Sequence, residues 1–74
     1  MNIDQMIGKT VIVEEIRDKM MVTSKGIYQA SENHLLAVMV TEIRKNGHSI
    51  PGVRKHLKWF NSMASTFVGV ELID

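Results

Sequence analysis

Three histidines and two adjacent glutamates are the residues of this chain best suited to metal binding or acid–base chemistry. His34, His48 and His56 are fourteen and eight residues apart, which matches no common ligand spacing, and the chain has no cysteine. Glu14 and Glu15 lie in a segment that we expect to be a strand, so their carboxylates point to opposite faces and cannot act on one bond. We therefore predict no catalytic residue, no metal site and no cofactor, and do not expect an enzyme.

The string Gly8-Lys9-Thr10 has the residues that end a phosphate-binding loop. Such a loop needs another glycine five positions before Gly8, where this chain has Ile3. The chain also leaves no room for the strand that must come before the loop. We therefore attribute the string to chance.

The distribution of charge along the chain is the main functional signal. Between Ile43 and Val70 the chain has five Lys or Arg and two His but no Asp or Glu, and we call residues 43–70 the acid-free stretch. Its cations are Arg44, Lys45, Arg54, Lys55 and Lys58. All eight carboxylates lie outside it. The formal net charge of +1 is therefore the sum of a basic stretch and an acidic remainder of the chain. A basic surface of this kind favours phosphate groups or an acidic protein.

Length and composition indicate one small domain, residues 1–74, with a thin core. The longest apolar run, residues 35–40, is too short to cross a membrane, and the N-terminus lacks the features of a signal peptide. The absence of cysteine fits a reducing compartment. We therefore expect a cytoplasmic protein with no membrane contact, and because so small a core gains from association, a homodimer.

The N-terminal part predicts a meander of three short antiparallel strands. Its elements are a β-branched strand at 9–16, a turn at 17–19, strands at 20–22 and 27–29, and a type I turn between those two at 23–26. At the other end of the chain, residues 66–73 alternate between apolar and other residues. They predict a further strand that pairs with 9–16 and holds the chain ends together.

Two helices are predicted between the meander and the C-terminal strand. Ser31 can cap the first, at about 31–46, whose apolar residues recur at helical spacing and which ends at Gly47. Ser49 can cap the second, at about 50–63, with an apolar stripe of Val53, Leu57, Phe60 and Ala64. The resulting prediction is an α+β fold: a small antiparallel sheet, formed by the meander and the C-terminal strand, with two helices.

A residue pattern over about residues 26–60 is shared with a known family of regulators. It consists of Gly26-Ile-Tyr-Gln-Ala-Ser31, then Leu35, Ile43-Arg44, Gly47, Ser49-Ile50, Val53-Arg54 and Leu57. This pattern resembles the wing end and the two following helices of the MerR family of transcription regulators. The resemblance implies a winged helix-like, DNA-binding protein. Family members place a complete helix-turn-helix before the wing, where this chain has a predicted strand.

A second alignment with DNA-binding motifs remains open. Residues 16–29 are similar to a generic helix-turn-helix, with 24–29 as its recognition helix. Arg17 stands where such motifs usually have a small residue, and Met21 stands where they usually have glycine. This alternative predicts a mostly helical domain.

Two functions follow as hypotheses. The first is a small nucleic-acid-binding regulatory protein, with double-stranded DNA as the favoured ligand. Its phosphate contacts would come from the five cations of the acid-free stretch, and its wing or groove contacts from Lys25, Tyr28 and Gln29. The second is a protein-protein interaction module, an inhibitor or adaptor that docks on an acidic partner.

Overall fold

Six antiparallel strands make up most of the chain in the computed structural model, which describes residues 6–73. The predicted domain, residues 1–74, extends past this range at both ends. The strands are β1 (Thr10–Arg17), β2 (Met20–Glu32), β3 (Leu35–Lys45), β4 (His48–Ser49), β5 (His56–Asn61) and β6 (Phe67–Leu72).

Short turns with positive backbone φ connect the first four strands. Asp18 and Lys19, between β1 and β2, have φ of 49° and 66°, and Asn46 and Gly47, between β3 and β4, have φ of 50° and 81°. Asn33, between β2 and β3, has φ of 55°. Two-residue turns with positive φ match the right-handed twist of strands. The strand pairs β1–β2 and β3–β4 therefore form tight hairpins.

The strand order is β4-β3-β2-β1-β6, with β5 also paired to β3. Residues 35–40 of β3 pair with β5 and residues 44–45 pair with β4, so β4 and β5 share one edge of β3. At the other end of the sheet, β6 pairs with β1. Within residues 6–73, no strand pairs with the outer edge of β5 or of β6.

The core lies on one face of a sheet that curves around it. Alternate residues of the strands face inward, as in Val11 and Val13 of β1 and Leu36, Val38 and Val40 of β3. The same cluster contains Phe60 of β5, and Phe67, Val70 and Leu72 of β6 pack against it. Strands from the two ends of the sheet therefore pack on one core, which requires strong curvature.

Gly26 marks the place where the long β2 strand changes register against β3. The register shifts between Lys25 and Gly26, and a Cβ atom at Gly26 would lie 2.0 Å from the backbone oxygen of Met39. Register shifts of this kind bend a strand and increase its twist. Only glycine allows the two backbones to approach so closely at this bend.

The predicted α+β fold is wrong, and so is the mostly helical alternative. The segments 31–46 and 50–63, predicted as helices, contain the end of β2, all of β3, and β5. The predicted turn at 23–26 is also wrong, because β2 continues through it as one strand of thirteen residues. The strand predicted at 9–16 is present as β1, and the strand predicted at 66–73 is present as β6 and pairs with it.

The physical reason for the error lies in the spacing of the apolar residues. Leu36, Val38 and Val40 alternate along β3 with the period of a strand, although the run around them also satisfies helical spacing. Gly47 takes the left-handed conformation expected of it, but it closes a hairpin rather than a helix. Asn-Gly between apolar segments is a strong hairpin signal.

Tyr28 offers a test of the core. Its side chain is 0% exposed, and within residues 6–73 its hydroxyl has no hydrogen-bond partner. A buried hydroxyl without a partner costs free energy, so we expect Tyr28→Phe to leave the free energy of unfolding unchanged or to raise it by up to about 1 kcal/mol. Urea unfolding followed by circular dichroism measures this. A loss of stability would show that the hydroxyl is hydrogen-bonded in the folded protein.

Candidate functional site

Strand geometry divides the cations that the sequence predicts as one site. Arg44 and Lys45 are neighbours in β3, so their side chains point to opposite faces of the sheet. Arg44 lies on the outer face, where its Nε is 3.5 Å from Oε2 of Glu42. Lys45 lines a cleft on the other side. The basic surface is therefore not the continuous two-helix platform that the sequence predicts.

The cleft lies at one end of the core and has a volume of about 350 Å³. We call it the basic cleft, because three of its four charged lining residues are cations: Arg17, Lys45 and Lys58, against Asp18. Its other lining residues are Met20, Val22, Ser24, Ile43 and Ile50. Residues of β1, β2, β3 and β5 thus line one cleft, and the positive charge of its lining favours an anionic group.

A buried glutamate holds two of these cations in place. Glu15 follows Val11 and Val13 on the inward face of β1 and is only 5% exposed. Its Oε2 accepts a hydrogen bond of 3.2 Å from Nη2 of Arg17, and its Oε1 lies 3.7 Å from Nζ of Lys58. A carboxylate withdrawn from water favours nearby cations, so Glu15 fixes Arg17 and Lys58 beside the cleft.

Lys58 has a second favourable contact on the inward side of β5. Its Nζ lies 4.9 Å from the centroid of the Phe60 ring, within the range of cation–π attraction. The Lys58 side chain is thus held between the Glu15 carboxylate and the Phe60 ring. These two contacts restrict the positions that the Lys58 ammonium group can take.

A second basic feature is the free edge of the sheet at β5, with the end of the loop before it. We call residues 54–59 the basic edge. Arg54, Lys55 and His56 are exposed, and Nδ1 of His56 forms a hydrogen bond of 2.7 Å with the backbone oxygen of Arg54. Further back, the loop is attached to β3, because the backbone N–H of Ile50 donates to the Ile43 carbonyl over 2.9 Å.

The basic edge also carries two large exposed apolar side chains. Leu57 is 49% exposed and Trp59 is 46% exposed, whereas Lys58 and Phe60 alternate with them on the inward face. Trp59 lies directly opposite Ala37 of β3, a residue whose side chain is a single methyl group. Trp59 is thus an exposed indole on the same short segment as the exposed cations Arg54 and Lys55, in a stretch, residues 43–70, that has no carboxylate.

The other predicted contact residues lie away from the basic edge. Lys25 is on the outer face of β2, beside Glu42 and Arg44, in a shallow pocket of about 160 Å³. Gln29 is exposed at an irregularity in the pairing of β2 with β3. Tyr28 is fully buried in the core and has no surface to offer a ligand. The wing-like group that the sequence predicts is therefore not assembled.

Arg17 and Glu15 are residues of the cleft that the sequence analysis does not place in a binding site. The signal for them is the strand alternation itself, because residues 11, 13 and 15 share the inward face of β1. Arg17 continues that series at the strand's end. A polar pair at the end of an otherwise apolar face indicates the rim of a core.

Residues 6–73 contain no helix long and apolar enough to cross a membrane. They also contain no group of three His, Asp or Glu side chains placed to hold a metal ion. Comparison of the chain with protein-family models, with curated proteins and with solved structures gives no match. The resemblance to MerR regulators therefore rests on residue types alone, since the helices it implies are strands.

Proposed function

We propose that this protein binds single-stranded nucleic acid through the basic edge, residues 54–59. Trp59 would stack on a base, while Arg54 and Lys55, which precede β5, would contact phosphates of neighbouring nucleotides on one side of it. The observation that carries the proposal is the exposed indole of Trp59, which follows the exposed cations Arg54 and Lys55 in a stretch of sequence without any carboxylate. So small a domain would act as a regulator by occupying a nucleic-acid strand.

The physical argument begins with the indole. Trp59 projects from the outer face of an edge strand and has nearly half of its surface in solvent. A planar aromatic surface offers a stacking platform to any base, and each stacked base contributes about 1–3 kcal/mol. Release of water from the exposed ring adds to the gain.

The fold favours single strands over the duplex DNA that the sequence predicts as ligand. In residues 6–73 the two helices predicted to contact phosphates are strands, and Tyr28, one of the predicted groove contacts, is buried, so the surface predicted for duplex DNA is not formed. Stacking on Trp59 requires a base that is not already stacked between neighbours. Such bases occur in single strands, loops and ends.

The basic cleft supports the same proposal from the inward side of β5. Lys58 lies between Leu57 and Trp59 in sequence but points into the cleft, where it joins Arg17 and Lys45. A nucleic-acid backbone that passes over the edge strand would therefore meet cations on both sides of it. Each phosphate so neutralised adds to the dependence of affinity on salt.

The test compares variants of the basic edge in fluorescence anisotropy titrations with a labelled single-stranded oligonucleotide. We expect Trp59→Ala to weaken binding by about 1–3 kcal/mol with an unchanged salt slope, because it removes stacking and no charge. The double variant Arg54→Gln/Lys55→Gln should reduce the slope of log affinity against log salt by about 0.7 for each phosphate that is no longer neutralised. Three ligands are titrated: a single-stranded DNA, a single-stranded RNA and a duplex of equal length.

The matched control removes two cations elsewhere. Lys9→Gln/Lys25→Gln changes the net charge by the same amount, but both residues lie outside the acid-free stretch. It should retain nearly wild-type affinity and slope. If the two double variants behave alike, binding depends on net charge and the basic edge is not the site. If no oligonucleotide binds at low salt, the proposal fails.

The second candidate function is docking on an acidic protein partner, which the sequence also predicts. The observation in its favour is the pair of apolar side chains, Leu57 and Trp59, beside a free strand edge. Such an edge can accept an added strand from another protein. A stoichiometric protein complex that survives nuclease treatment and is absent in Trp59→Ala would support this candidate over nucleic acid.

A further inference from the structure

An apolar row crosses the outer face of the sheet beside Trp59. Ile27 of β2 lies opposite Met39 of β3, and Met39 lies opposite Leu57 of β5, so their side chains are neighbours on one face. Leu57 is 49% exposed, and Ile27 and Met39 are each partly exposed. We call Ile27, Met39 and Leu57 the apolar row.

The next outward positions of β2 and β3, toward the start of β2, are polar. Lys25 lies opposite Glu42, and Thr23 lies opposite Arg44. The solvated face of an antiparallel sheet usually carries polar side chains of this kind. The apolar row therefore differs from the face beside it, and one of its members, Leu57, belongs to the basic edge.

The spacing of Leu57 and Trp59 is too wide for two bases that remain stacked on each other. Both side chains point outward from β5 and are two residues apart, which places them about 6.8 Å apart along the strand. Successive nucleotides in one strand of duplex DNA are only about 3.4 Å apart along the axis. Adjacent bases held at Leu57 and at Trp59 must therefore separate, and the protein must replace the contact that they lose.

We propose that the apolar row holds a second base, adjacent in the nucleic acid to the base stacked on Trp59. This inference rests on the proposed function and narrows the ligand to a segment with at least two adjacent unpaired bases. Leu57 lies between Lys55 and Trp59 in sequence, so the second base belongs to the nucleotide on the side of the contacted phosphates. The row has no N–H or O–H donor in its side chains, so it accepts a base by apolar contact and does not read its identity.

The first test uses the wild-type protein and three end-labelled single-stranded DNAs of equal length, in which the other nucleotides are abasic. One ligand keeps a single base, the second keeps two adjacent bases, and the third keeps two bases too far apart to reach Trp59 and the apolar row together. All three have the same number of phosphates, so the electrostatic contribution to binding is the same. The third ligand corrects for the doubled chance that a base meets Trp59. Fluorescence anisotropy gives the three affinities.

We expect the adjacent pair to bind about tenfold more tightly than the separated pair, which corresponds to the apolar contact of roughly two methylene groups. Equal affinities for the two pairs would overturn the inference. The proposed function would still hold in that case if the single-base ligand bound more tightly to the wild type than to Trp59→Ala. If none of the ligands bound at low salt, both proposals would fail.

The second test locates the second base on the protein. Leu57→Ala removes part of the apolar row and no charge, so the advantage of the adjacent pair should fall to about threefold or less. Val68→Ala in β6 is the matched control, because Val68 is also 49% exposed and lies at the other end of the sheet. It should keep the full advantage.

A Leu57→Ala protein with the wild-type advantage would overturn the assignment of the second base to the apolar row. Equal losses in Leu57→Ala and Val68→Ala would do the same. Circular dichroism establishes that both variants are folded. The comparison of ligands on the wild type needs no variant, so it tests the inference even if Leu57→Ala does not fold.

Discussion

Replacement of Gly26 by alanine should prevent stable folding of the domain. The added Cβ would lie 2.0 Å from the Met39 oxygen, 2.7 Å from its carbonyl carbon and 2.9 Å from Cα of Val40. All three are backbone atoms of β3, so relief requires β2 and β3 to separate. Overpacking costs about 1–3 kcal/mol where side chains can move, and we expect a loss of at least about 3 kcal/mol here. Urea unfolding, followed by circular dichroism, measures it.

The chain provides a matched control for this experiment. Gly69 is also a strand glycine, in β6, but a Cβ atom there would have no atom within 4 Å. Gly69→Ala should change the free energy of unfolding by less than about 1 kcal/mol, with gain favoured because alanine restricts the unfolded chain. Wild-type stability of Gly26→Ala would contradict the close approach of β2 and β3.

The strands near the two ends of the chain, β1 and β6, could be predicted from the sequence because their signal is local. Residues 10–13 of β1 are Thr-Val-Ile-Val, a β-branched run that is unfavourable in a helix and packs well in a sheet. Residues 66–73 alternate, and their pairing with β1 is the simplest way to bury both apolar faces. The pairing is present as Val11 opposite Leu72 and Val13 opposite Val70.

The middle of the chain could not be assigned from apolar spacing alone. Leu35, Leu36, Met39 and Val40 fit one helical face, yet Leu36, Val38 and Val40 fit one strand face equally well. Two features favoured the strand: the valines at 38 and 40, and the Asn46-Gly47 turn. The remaining contribution comes from pairing with β2 and β5, which a pattern within β3 alone does not show.

The composition of the candidate site could be predicted, but its arrangement could not. The absence of acids from residues 43–70 is a property of the sequence and does not depend on the fold. On a helix Arg54 and Lys58 share a face, whereas here Arg54 lies in a loop and Lys58 points inward from a strand. The ion pair of Lys58 with Glu15 joins the first and fifth strands, so only the tertiary fold brings it about.

Alanine at Phe60 and alanine at Leu57 should have very different effects on stability. Phe60 is 1% exposed and packs in the cluster with Val11, Val13 and Val38, so Phe60→Ala should cost about 3–5 kcal/mol. Leu57 is 49% exposed on the outer face of the same strand. Leu57→Ala should therefore cost no more than about 1 kcal/mol. Thermal and urea unfolding of the two variants give both values.

This comparison separates the strand from the predicted helix. In a helix at 50–63, Leu57 and Phe60 are three residues apart on one apolar stripe, so both substitutions would create cavities of similar cost. In β5 they are an odd number of residues apart and must face opposite sides. Equal and large losses of stability would contradict the sheet at β5, and with it the outward position of Trp59. A large loss of stability at Phe60 alone would support the alternation on which the outward position of Leu57 and Trp59 in the basic edge depends.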